Sequence, residues 1–181
     1  ADTKPVAVND TAIVDEGDLS TIGSGLDPED QGPPAGQYDY TASGNLLDND
    51  TVNSGADAAT ITAVGTATPD VNDVITVDTP NGLLKVYVTD AAANAANTGQ
   101  TAGSQEDALE AATTDASNDS DTFTYTLKGG DSATTKTATL VVSILDDEPV
   151  AKDDSMGTLA EDTATPIDVT VNDIEGADGI D

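Results

Sequence analysis

Five carboxylates fall within nine positions in Asp146-Asp147-Glu148-Pro149-Val150-Ala151-Lys152-Asp153-Asp154. Hard oxygen donors at that density suit Ca2+, which takes about six to eight oxygens from carboxylates, carbonyls and amides. Asn9-Asp10 and Asp15-Glu16 form a comparable acidic group near the start, and Asp48 and Asp50 lie in a third acidic turn. Asp115-Ala116-Ser117-Asn118-Asp119-Ser120-Asp121 sets oxygen-bearing side chains on alternate positions, the opening spacing of a calcium loop. It is no EF-hand, because Ser120 stands where glycine is needed and Thr126 where a bidentate glutamate belongs. Asp27, Glu29 and Asp30 make a further acidic loop. The one cofactor these residues suggest is Ca2+.

Other chemistry has little to work with. The chain has no histidine, cysteine, tryptophan or arginine and no recognisable catalytic motif, so paired carboxylates are the one plausible acid–base chemistry. They have a better use in binding metal, and an enzyme is not expected. Without cysteine there is neither a disulfide scaffold nor a thiolate site, so an extracellular chain would need another staple. Calcium can serve.

The charge balance points the same way. Thirty-five acidic groups face five lysines, a formal net charge of −30 over 181 residues. Such a field repels nucleic acid and anionic lipid, and it pushes a compact state apart unless cations bind. No apolar run approaches the roughly 20 residues that span a bilayer, and no signal-peptide pattern opens the sequence. It reads as a soluble segment of something larger, with no membrane insertion.

Acidity with few aromatics can mean disorder, but dense β-branched runs with period-two alternation argue for strands. The predicted strands are 5–8, 11–14, 60–64, 74–77, 83–88, 121–127 and 137–145, with 44–50 a strand running into an acidic turn. In the penultimate strand Phe123, Tyr125 and Leu127 share one face, and Phe123, the only phenylalanine, is the expected core anchor. Lys128-Gly129-Gly130-Asp131 reads as the hairpin turn that follows. The strand signal stops over 89–121, where Ser104-Gln105-Glu106-Asp107 looks like a cap opening a short helix over 104–112. Together these elements predict an all-β, antiparallel sandwich with two long loop insertions, one carrying a short helix.

A pattern also returns. Pro5-Val6-Ala7-Val8-Asn9-Asp10-Thr11 is answered by Pro149-Val150-Ala151-Lys152-Asp153-Asp154-Ser155, and Leu47-Asp48-Asn49-Asp50 by Val169-Thr170-Val171-Asn172-Asp173. Such a return marks an array of similar modules. From Pro5 to Asn49 is 44 positions and from Pro149 to Asn172 is 23, so the first copy carries 21 extra residues. The division expected is one module over 1–148, with insertions near 21–42 and 90–120. Residues 149–181 then start the next repeat or add strands to the first.

The framework resembles the tandem immunoglobulin-like or cadherin-like repeats of giant bacterial RTX adhesins. The residues that carry the likeness are Asp121-Thr122-Phe123-Thr124-Tyr125-Thr126, the apolar last strand, the acidic junction around Pro149, and Gly44-Asn45-Leu46-Leu47-Asp48-Asn49-Asp50. The RTX nonapeptide itself is absent. The resemblance implies a Ca2+-dependent sandwich, secreted and held at the bacterial cell surface, acting in adhesion or biofilm formation with neighbouring repeats as partners. Junction carboxylates in such arrays bind calcium and stiffen the rod. Some modules also hold an extracellular peptide or glycan, and here the insertions, with Tyr38, Tyr40, Asp27 and Asp30, are the expected ligand site. The alternative is a purely structural extender.

Overall fold

A computed structural model describes residues 4–15, 41–52, 58–109, 119–130, 134–145, 149–155 and 168–173. Its elements are β1 (Asp10–Asp15), β2 (Thr41–Asn45), β3 (Thr60–Val64), β4 (Val74–Asp78), β5 (Gly82–Tyr87), α1 (Asp90–Ala96), β6 (Ser104–Leu109), β7 (Asp119–Lys128) and β8 (Thr135–Leu145). They form two four-stranded sheets, ordered β1-β8-β7-β3 and β2-β6-β5-β4.

Alternation builds the core. Ala138, Leu140, Val142 and Ile144 of β8 point inward beside Phe123, Tyr125 and Leu127 of β7, and all are buried. Register sets the bulky Tyr125 opposite the small Ala138, and Phe123 opposite Leu140, so large and small side chains interdigitate. Ile75, Leu84 and Val86 meet them from the other sheet in a single apolar cluster. In β3 a register shift between Ile61 and Ala63 re-aims the strand, so that Ile61 and Val64 both reach the core.

Three sequence expectations need correction. Residues 104–109 form β6, a central strand between β2 and β5, instead of a helix. Ser104 and Gln105 are buried, and pairing along both edges outweighs the local capping pattern. The helix lies earlier, where Thr89 caps an alanine-rich run by accepting from the Ala92 N–H. Residues 5–8 form only an isolated bridge, Val6 with Thr51, and the strand proper starts at Asp10. Finally, β1 runs parallel to β8, against an otherwise antiparallel pattern. Parallel pairing needs a long connection, and the first and last strands of the module have one.

Candidate carboxylate clip around Tyr125

Tyr125 carries a polar tip on an otherwise apolar face, and a buried phenol needs partners. Its side chain is fully buried, and its hydroxyl lies 2.8 Å from the Val8 carbonyl, 3.0 Å from Asp50 Oδ2 and 3.4 Å from the Leu46 carbonyl. One proton serves three acceptors, so the geometry gathers more oxygen than the phenol alone can satisfy. Burial first, then the charges of Asp10 and Asp50, holds its pKa far above the ordinary tyrosine range. The hydroxyl therefore stays protonated.

The surrounding bonds fasten the incoming chain to the sandwich. The Val8 N–H donates to Asp50 Oδ1 at 2.7 Å. The Asn49 amide donates to the Asn9 carbonyl at 3.1 Å and to Asp10 Oδ1 at 3.0 Å. Asn9 Oδ1 in turn accepts from the Thr139 N–H of β8 at 3.1 Å. An Asx turn, Leu47 N–H to Asn45 Oδ1, shapes the loop that presents Asn49 and Asp50.

One oxygen is left over. Asp10 Oδ2 is buried and has no partner. The Asp10 pKa is raised by that burial and by the nearby charges of Asp50 and Asp48, while Tyr125 and Asn49 pull it the other way. Asp50, by contrast, spends both oxygens on donors of the chain. Asp48 is the second carboxylate whose charge bears on Asp10. Among the described residues, however, no three acidic side chains come together as a closed metal cage.

The candidate ligands divide between two ends of the sandwich. Asn9, Asp10, Asp48 and Asp50 gather where the chain enters. At the opposite end the register sets Asp15 beside Leu145 and Asp119 beside Ile144. Asp121, also at that end, accepts from Thr79 Oγ1 at 2.7 Å and from the Asn81 amide at 3.3 Å, tying β7 to the β4–β5 turn. Asp121 thus works as an inter-sheet staple. Asp153 and Asp154 are exposed in the second copy. Glu16, Asp115, Asp146, Asp147 and Glu148 lie outside the described residues, as do the expected ligand residues Tyr38, Tyr40, Asp27 and Asp30.

The second copy repeats four hydrogen bonds of the first. The Lys152 N–H donates to Asp173 Oδ1 at 2.6 Å, as Val8 does to Asp50. The Asn172 amide donates to the Asp153 carbonyl at 3.1 Å, as Asn49 does to Asn9. Asp168 takes the Thr170 N–H as Asn45 takes that of Leu47. The Asp173 N–H reaches the Thr170 carbonyl at 3.2 Å, matching Asp50 to Leu47 at 3.3 Å.

Sequence reasoning found the acidic turns but missed their hub. Tyr125 read as one more apolar residue, and Asn49, Thr79 and Asn81 carried no signal beyond turn composition. The usable clue was the phenol on a face otherwise filled by Phe123 and Leu127. Compared with family models, curated proteins and solved structures, the chain matches none of them.

Proposed function

We propose that this chain is a Ca2+-dependent, immunoglobulin-like or cadherin-like repeat of a secreted bacterial surface adhesin, working as a stiff extender between neighbouring repeats. The observation that carries this reading is the recurrence of the clip. Four hydrogen bonds of the first copy return at equivalent residues of the second, although the loop between their halves is 21 residues shorter. Repetition of structure along a chain is the mark of an array.

Carboxylates at both ends of the sandwich support the calcium part of this reading. Asp146, Asp147 and Glu148 follow β8 in the sequence, and a net charge of −30 favours the binding of divalent cations. Asp10, with its unpartnered oxygen, and Asp48 are the described residues best placed to take part. The extender is preferred to a ligand-binding module because residues 90–96 and 104–109 of the second insertion are occupied by α1 and the framework strand β6.

Thermal melts in millimolar Ca2+ and in EDTA test the proposal. A ligand present at about a hundredfold its Kd stabilises the native state by roughly 2.7 kcal/mol, so chelation should lower the midpoint by several degrees. An unchanged melt would contradict the calcium-dependent reading.

A further inference from the structure

The two copies of the clip differ in what covers them. In the first, Pro5 is buried, Ala7 packs against the core, and Leu46 is 2% exposed. Their counterparts Pro149 and Ala151 are exposed, and Val169, which stands where Leu46 does, is 58% exposed. Val150 is also exposed at 48%, as Val6 is at 51%, so the difference is confined to positions that face the sandwich in the first copy.

The backbone bonds of the clip are nonetheless made in both copies. Among the described residues, the second is therefore folded locally with its inward-facing side chains exposed. We propose that residues 149–155 and 168–173 form a preformed docking surface for a strand pair of the β7–β8 type, in which an apolar, Tyr, apolar alternation places a tyrosine hydroxyl between the Lys152 carbonyl and the Asp173 carboxylate.

The occupant is specified by the first module, which shows the same surface filled. There Tyr125 donates into the Val8 carbonyl and Asp50 Oδ2, its neighbours Phe123 and Leu127 complete the apolar face, and the adjacent β8 gives its Thr139 N–H to Asn9 Oδ1. Asp153 replaces Asn9 and Asp173 replaces Asp50, so the second surface offers acceptors wherever the first uses them. A strand bearing Phe in place of Tyr would fill the apolar part and leave the acceptors unmet, which is costly once they are buried. The specificity therefore lies in the hydroxyl. This inference rests on the repeat reading above and is independent of the calcium part of it.

The test extends the whole chain by a second copy of residues 59–148 placed directly after Asp181, which keeps the register of the first module. Docking predicts that the Val169 methyls lose solvent contact and that the Lys152 amide exchanges roughly a hundredfold more slowly, as amides do when taken into a cooperative unit. Changing the grafted counterpart of Tyr125 by the Tyr125→Phe substitution should return most of that protection. In a second arm, a synthetic peptide of residues 119–145 is added to the unextended chain. It should shift the Val169 and Lys152 resonances, and the Tyr125→Phe peptide should do so more weakly. If Val169 and Lys152 respond in neither arm, or respond equally to the tyrosine and phenylalanine forms, the proposal is overturned. A calcium-sensitive melt of the unextended chain alongside that result would locate the failure in the docking surface alone.

Discussion

Tyr125 and Asp10 make opposite contributions to the polar corner they share. The phenol stabilises by supplying a donor, and the carboxylate brings a partly buried charge with one oxygen unpartnered. Tyr125→Phe should cost about 1–3 kcal/mol in denaturant unfolding, because the Val8 carbonyl and Asp50 Oδ2 lose their donor. Asp10→Asn should act in the other direction in metal-free buffer. A carboxylate whose folded pKa is raised above its unfolded value, 3.8, favours folding below that value, and this contribution is lost as pH rises through the folded pKa. At neutral pH the variant should therefore be the more stable, since the oxygen of the introduced amide can still accept from Asn49, and its pH dependence below neutrality should be flatter. In Ca2+ the advantage should shrink if Asp10 holds the ion. At this scale the sequence disclosed which residues are acidic and where they cluster. It could not disclose that Asp50 and Asp121 spend their oxygens on donors, since those partners come from segments about 40 or more positions away.

Elements defined by alternation were legible, and the element defined by pairing was not. β3, β4, β5, β7 and β8 all announce themselves through period-two apolar residues. β6, reading Ser-Gln-Glu-Asp-Ala-Leu, has no such pattern and is a strand because two neighbours hydrogen-bond to it. Its start is fixed by Gly103, whose φ of +89° is open to glycine and strained for other residues. A Cβ there would meet Leu47 Cγ at 2.4 Å and Asn45 Oδ1 at 2.5 Å. The Gly103 N–H and carbonyl also bond Tyr87 and Leu46, so the backbone cannot easily swing away. Gly103→Ala should cost about 2–4 kcal/mol, read as a lower urea midpoint with an unchanged m-value. Gly99→Ala, also at positive φ but with open space around it, should cost less.

The strand topology decides how the module carries load. β1 and β8 are parallel over six residue pairs, from Asp10 with Leu140 to Asp15 with Leu145. Tension applied between Lys4 and Pro149 therefore shears these pairs together, and tension between Lys4 and Gly130 peels them one at a time. Single-molecule pulling should find a several-fold higher unfolding force in the first geometry, and equal forces would count against β1–β8 as the load path. The net charge and the returning motif were both visible in the sequence at this scale. The parallel pairing was not, because nothing in a strand's residue pattern records its direction.

The most direct measurement is residue-resolved amide hydrogen exchange on the intact chain, comparing Val8 and Lys152. If one clip is built twice, both amides exchange more slowly than an unstructured chain allows. Asp50→Ala then releases Val8 alone, and Asp173→Ala releases Lys152 alone. A Lys152 amide exchanging at the unstructured rate, indifferent to Asp173, would contradict the account.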